Sequence, residues 1–156
     1  MDPVVRPASV TDVPALVDLE AAARAGIADV RGGALRLTEC PPITDWSPLL
    51  VGADTRVLVG TLDDVVLAFM VLVMQPARDR SLVTHVFVDA GARELGLGDT
   101  MIEHAIAATN EAGLTGIEST ALPGDRDTKN LFERAGMTAR KLTVYKSLVA
   151  PEPATE

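Results

Sequence analysis

The segment from Val88 to Asp99 constrains the fold of this chain more than any other. It reads Val88-Asp89-Ala90-Gly91-Ala92-Arg93-Glu94-Leu95-Gly96-Leu97-Gly98-Asp99. An apolar, β-branched run, Leu82 to Val88, leads into it. Behind it Met101, Ile102, Ala105, Ile106 and Ala108 recur at helical spacing. The order is therefore strand, glycine-bearing turn, helix N-terminus. N–H groups in the first turn of a helix have no intrahelical partner, and the dipole makes that end positive. Such a turn can hold a phosphate or pyrophosphate. Glycine lets the backbone come close to the oxygens and take dihedrals closed to other residues.

Two other phosphate-binding motifs fit less well. A Walker A loop needs G-x-x-x-x-G-K-[ST]. Gly91 and Gly96 have that spacing, but Leu97 stands where the lysine belongs. A dinucleotide fingerprint needs G-x-G-x-x-G, and Met101 occupies the place of the third glycine after Gly96 and Gly98. Glu118 does fall about 20 residues on, at the end of the next predicted strand, where a ribose-binding acid would sit. A nucleotide-binding α/β domain therefore stays open. So does the plain reading that the glycines only shape a strand-to-helix connection.

The remaining chain supplies the elements for one sheet. Val4 to Pro7 reads as a short strand. Ser9 or Thr11 can cap a helix beginning near Asp12-Val13-Pro14, with Leu16, Leu19 and Ala23 on its apolar face. Residues 26–48 hold Gly32-Gly33, Pro41-Pro42 and Pro48, which favours irregular chain with a short helix around 34–38. Arg56 to Leu62 and Val65 to Met74 read as strands joined by a tight Asp63-Asp64 hairpin. Both are apolar almost continuously, the pattern of strands buried on two faces. Thr100 to Glu111 is the helix after the phosphate turn, and Gly116 to Ala121 the next strand. Asp127 or Thr128 can cap a helix over 129–134, with Gly136 at its C-terminal end. Ala139 to Leu148 fits a terminal strand or hairpin, and Pro151 to Glu156 reads as a disordered tail. Strands alternating with helices in this order predict an α/β fold, a mixed sheet with helices on its faces.

The 156 residues suffice for one domain with a real core. No apolar run reaches the roughly 18 residues of a membrane span, and the N-terminus carries no secretory pattern. Cys40 is the single cysteine, and no Cys/His spacing suits zinc, so no metal is expected. A cytoplasmic location is the default expectation. The net charge of −8, with few aromatics, argues against nucleic-acid binding. It would mildly attract a cationic substrate such as an amine, although solubility alone explains it as well.

Arg93-x-x-Gly96-x-Gly98, directly after Val88-Asp89, resembles motif A of the GNAT family of N-acetyltransferases. Leu131-Phe132-Glu133-Arg134-Ala135-Gly136-Met137 resembles that family's later L-Y-E-K-x-G-F pattern and stands in the correct order behind it. The element order also agrees, so the resemblance covers essentially the whole chain. It implies the acyl-CoA N-acyltransferase fold over residues 1–149, followed by a tail at 150–156. It also implies acetyl-CoA as co-substrate and a small-molecule or peptide amine as acceptor. By position, Val86, Phe87 and Val88 would hydrogen-bond the pantetheine arm. Arg93, Glu94, Leu95, Gly96, Leu97, Gly98 and Asp99 would surround the pyrophosphate. Asn130 would replace a cofactor-contacting asparagine that Asp125 displaces, or lie on the surface. A homodimer paired through an edge strand is compatible with this pattern.

One departure bears on chemistry. Family members often carry a tyrosine where this chain has Phe132, and that phenol can protonate the leaving thiolate. A thiol with a pKa of about 8.5 can also leave as the anion. Transfer to an amine further needs a neutral amine and a polarised carbonyl. An unpaired N–H of the strand ending at Val88 could polarise it. The candidate bases are Glu118, on the strand after the cofactor helix, and His85, whose type titrates near neutrality. Glu39 is a weaker third. Tyr145, Asp45 and Trp46 are further residues that could border the site or merely pack. A direct-attack N-acetyltransferase is the leading expectation, and a non-catalytic acyl-CoA-binding sensor of the same fold is the alternative.

Overall fold

A computed structural model describes residues 2–149. The elements run β1 (Val4–Pro7), α1 (Val13–Ile27), α2 (Gly33–Glu39), α3 (Ser47–Val51), β2 (Thr55–Leu62), β3 (Val65–Gln75), β4 (Arg80–Val88), α4 (Leu97–Glu111), β5 (Gly116–Ser119) and α5 (Arg126–Arg134). The five strands form one sheet in the order β1-β2-β3-β4-β5. β1 to β4 pair antiparallel, and β5 joins β4 in parallel. The mixed sheet flanked by helices is the architecture that the sequence predicts.

β3 explains why its sequence is apolar at nearly every position. Ala68, Met70, Leu72 and Met74 face a core shared with α4 and α5, where Leu97, Met101, Ile102, Ala105, Leu131 and Phe132 are buried. Phe69 and Val71 face the other layer, with Leu16 and Leu19 of α1 and with Trp46. A strand covered by helices on both faces has no polar side to show. The Asp63-Asp64 hairpin takes positive φ at both residues, 52° and 66°, as a tight antiparallel turn requires.

α1 is entered through a turn of 3₁₀ helix at Val10–Asp12. The Asp12 carboxylate accepts the Ser9 N–H at 2.7 Å and a two-pronged contact from the Arg6 guanidinium at 2.8 and 2.9 Å. It thus ties β1 to the start of α1.

Several boundaries differ from the sequence expectation. α4 begins at Leu97 rather than Thr100, because Gly96 in the left-handed region (φ 76°) ends a 3₁₀ segment and starts the helix at once. α5 begins at Arg126, and its cap is Asp125. That carboxylate accepts the Thr128 N–H at 3.2 Å and its hydroxyl at 2.7 Å. The expected strand or hairpin over 139–148 does not form. The chain there is unpaired, and Leu142, Val144, Tyr145 and Leu148 are exposed. The propensity of Thr143-Val144-Tyr145 counts only beside a strand that supplies hydrogen bonds and cover, and none of the described strands lies there. The expected tail at 150–156 lies outside the described residues.

Candidate active site

β4 and β5 pair only from Arg80 opposite Gly116 to Val83 opposite Ser119. β5 then ends, two residues short of the expected Ala121. β4 continues to Val88 with β3 on one side and no strand on the other. Parallel strands that part in this way leave main-chain groups of the longer one unpaired. A cleft of ≈ 770 Å³ opens there. Thr84 is an extra residue in β4, since Val71 pairs with His85 while Leu72 pairs with Val83. Such a bulge redirects the side chains next to it. It lies directly where the two strands separate.

One end of the cleft is the turn from β4 into α4. Val88, Arg93, Gly96, Gly98 and Asp99 line it, with Asn130 and Arg134 from α5. Arg93 donates Nε to the Val88 carbonyl at 3.3 Å and pairs with Asp127 at 2.6 Å. Arg134 pairs with Asp99 at 3.0 Å. The helix start exposes the first-turn N–H groups of α4, the feature that suits a diphosphate.

The other wall comes from α1 and α2, with Glu20, Arg24, Arg36 and Cys40. The α1–α2 turn rests against the turn after β5, and the contact is tight. A Cβ on Gly124 would lie 2.8 Å from Val30 Cγ1 and 3.0 Å from the Arg31 nitrogen. Among the described residues, six arginines line the cleft (24, 31, 36, 93, 126 and 134) against the acids Glu20, Asp99, Asp125 and Asp127. The cleft is therefore cationic although the chain is acidic, so net charge is a poor guide to what enters it.

His85 lies between the two ends. Its Nδ1 is 2.8 Å from Thr84 Oγ1, and its ring centroid is 6.3 Å from that of Phe69. Burial, followed by the charges of Arg36 and Arg24, pushes its pKa down to about 4. The imidazole is neutral at pH 7.

A family model described as "Acetyltransferase (GNAT) family" matches residues 29–137, from the α1–α2 turn past the end of α5. The chain belongs to the GNAT acetyltransferase family. An L-2,4-diaminobutyric acid acetyltransferase of Streptomyces avermitilis is 30% identical over 106 residues, which span 64% of this chain and 59% of that relative. A tetramutant of the BH1408 protein from Bacillus halodurans has a TM-score of 0.77 at 18% identity, over 93% of this chain and 99% of its own. AAC(6')-Iy in complex with the bisubstrate analogue CoA-S-monomethyl-acetylneamine has a TM-score of 0.70 at 12% identity, over 96% and 100%. The two structures share the fold.

Within this GNAT fold the residues predicted to hold the cofactor divide. Val86, Phe87, Val88, Arg93, Gly96, Gly98, Asp99 and Asn130 border the cleft. Leu97 does not; it is buried under the sheet. Glu94 and Leu95 are exposed on the 3₁₀ segment and do not line the cleft either. Of the candidate bases only His85 lines it. Glu118 pairs with Arg80 at 2.7 Å and Arg78 at 2.9 Å on the far side of the β4–β5 pairing. These arginines, Arg80 first, hold its carboxyl below the ordinary range. Glu39 is exposed and outside the cleft.

Phe132 is buried in the α4–α5 core and does not border the cleft. Trp46 anchors the loop instead of lining the site. It is 3% exposed and packs edge-on against Phe69 at 5.8 Å. Asp45 accepts the Ser47 N–H. Glu20 is one of the cleft residues that the sequence reading passed over, as are Arg24 and Arg36. Glu20 is buried, and Oε1 accepts the Ile43 N–H at 3.2 Å. Its signal was present: an acid one place after Leu19 and four after Leu16, on the apolar face of α1.

Proposed function

We propose that this GNAT family member is an acetyl-CoA-dependent N-acetyltransferase that acts on a small primary amine by direct attack. The observation that carries the reading is the parting of β4 and β5 after Val83 and Ser119. It leaves an extended edge from Thr84 to Val88 that leads straight to the Gly96 turn and the start of α4. An extended arm can run along such an edge in the manner of a strand, and the helix N-terminus suits the diphosphate at its end. Val86, Phe87 and Val88 would hold the arm. The turn from Arg93 to Asp99 and Asn130 would surround the diphosphate. Acetyl-CoA supplies an acetyl group on a thiolate leaving group.

The protein's own part is orientation, polarisation and proton removal. The amine nitrogen forms a bond to the acetyl carbon, the carbon–sulfur bond breaks, the thiolate leaves with the electron pair, and the nitrogen gives up a proton. A neutral His85 can accept that proton. It cannot deprotonate a free ammonium efficiently. The gap of about 6 pKa units to an ordinary alkylamine corresponds to roughly 8 kcal/mol. The amine therefore enters neutral, and His85 takes its proton as the new bond forms. The named activity of the Streptomyces relative, on an amine-bearing acid, supports a small amine as acceptor.

Calorimetry with acetyl-CoA and with coenzyme A tests the cofactor reading, and saturable binding in the micromolar range is expected. No saturation by either at millimolar concentration would end it. The burial of Phe132 away from the cleft gives a second reading specific support, a non-catalytic acyl-CoA-binding module. A thiol-release assay across primary amines separates the two, since sustained turnover removes the module.

A further inference from the structure

Two half-buried arginines on the α1–α2 wall of the cleft lack a counter-ion. Arg24 of α1 and Arg36 of α2 are half-buried and line the cleft beside His85. Among the described residues neither takes part in any ion pair. Arginines 6, 78, 80, 93 and 134 do, in a chain with 22 acidic residues and 14 basic ones; Arg31 and Arg126 also line the cleft without an ion pair, but both are exposed to solvent. The acid nearest along α1, Glu20, is one turn before Arg24 but is not within ion-pair distance of it, and its Oε1 accepts the Ile43 N–H. A half-buried guanidinium without an anion keeps a desolvation cost that an arriving anion would repay.

Both side chains are held in place from behind. Arg24 Nη1 donates to the Cys40 carbonyl at 2.6 Å. Arg36 Nη2 donates to the Thr84 carbonyl at 3.1 Å, at the bulge. A guanidinium has five N–H donors, so each fork keeps donors for a ligand in a fixed orientation. Their fields converge on His85, whose lowered pKa owes its electrostatic part to these two groups.

Their position separates them from the diphosphate turn. Arg36 is anchored at Thr84 and Arg93 at Val88, four residues apart along β4. At about 3.3 Å per residue that is roughly 13 Å. A diphosphate on α4 is thus served by the Arg93 end, and the Arg24–Arg36 end is left for the other substrate.

We propose that Arg24 and Arg36 bind a carboxylate carried by the acceptor, so that the preferred acceptor is an amino acid rather than a simple amine. The assignment rests on the acetyltransferase reading above and names the acceptor class of that site. Two guanidinium forks suit a planar carboxylate, and the bound carboxylate fixes the distance from which the amine reaches the acetyl carbon beside His85. It also offsets the two positive charges that add to burial in keeping His85 neutral. A dicationic amine would meet those charges uncompensated.

Matched acceptor pairs test the assignment. The full chain is assayed with 2,4-diaminobutyrate against 1,3-diaminopropane, and with 2,3-diaminopropionate against ethylenediamine. Each pair differs only by the carboxylate. The carboxylate-bearing member is expected to have a kcat/KM at least about tenfold higher. R24Q and R36Q should lower that ratio by about tenfold or more, chiefly through KM, and R36K should restore only part of it because lysine lacks the fork. Equal kcat/KM within the pairs, or a ratio untouched by both substitutions, overturns the proposal. Turnover of no member by a protein that binds acetyl-CoA overturns it as well. Calorimetry keeps the two readings apart. Failure of the unaltered chain to bind acetyl-CoA sinks the enzyme reading itself. A tenfold loss of acetyl-CoA affinity in R24Q and R36Q would assign the arginines to the cofactor and end the carboxylate assignment.

Discussion

Leu131 of α5 fills the space that a side chain on Gly98 of α4 would need. A Cβ at Gly98 would lie 3.1 Å from Leu131 Cδ1 and 3.6 Å from Val88 Cγ2. The glycine that suits close approach to a phosphate is therefore also demanded by helix packing. G98V should destabilise the fold by about 1–3 kcal/mol, as overpacking does. Urea unfolding measures it. In the L131A background the cost should shrink, because the two sites share one space. Additive losses would show that Leu131 is not what confines Gly98.

Gly96 meets the opposite constraint. No atom lies within 4 Å of a Cβ placed there, but its φ of 76° is left-handed. G96A should therefore cost about 1 kcal/mol of backbone strain without any clash. G96N should cost less, since asparagine tolerates that region. Thermal denaturation of the pair checks the order. On the proposed function G96A also weakens acetyl-CoA binding, which calorimetry on the same samples reads.

His85 makes stability depend on pH in a defined window. Its folded pKa is about 4, below its ordinary value of 6.5. Between those values the unfolded chain binds a proton that the folded chain refuses. Stability is then complete above pH 6.5 and falls as the pH drops towards 4, by on the order of 3 kcal/mol. H85Q should flatten the profile across that range. An unchanged slope in H85Q, followed by denaturant midpoints, would assign the effect to other groups.

Asp12 acts at lower pH. The Arg6 guanidinium holds its carboxyl below the ordinary range, and the Ser9 N–H adds to this. The contribution is present above the unfolded pKa and is lost as the pH falls through the lower folded value. D12N should cost about 1 kcal/mol at pH 7, a figure reduced because Arg6 faces solvent. The difference between D12N and the unaltered chain should close at strongly acidic pH.

Glu118 and His85 should respond differently in turnover. E118Q leaves the cleft intact, since Glu118 lies in the Arg78–Arg80 cluster outside it. Its kcat/KM should stay within about threefold. H85A should lower kcat by about a hundredfold, in the range of a lost proton acceptor. Steady-state kinetics with one acceptor decides the matter, and the reverse order would return the base to Glu118.

The sequence by itself determined the features that are local. The strand, turn and helix from Leu82 to Glu111 were legible because hydrophobic period and glycine placement act over a few residues. The two-faced burial of β3 was legible because a strand with helices on both sides can afford no polar face. The tertiary structure alone decided which of these elements meet. It placed Glu118 against Arg78 and Arg80 rather than in the cleft, buried Phe132 between α4 and α5, and left 139–148 without a partner strand. It also brought Arg24, Arg36 and His85, from two helices and a strand, to one wall. Alternation fixes which side chains share a face of an element. Where β4 and β5 part, and which helix closes over the gap, depends on packing between segments far apart in the chain, and no short window of residues contains it.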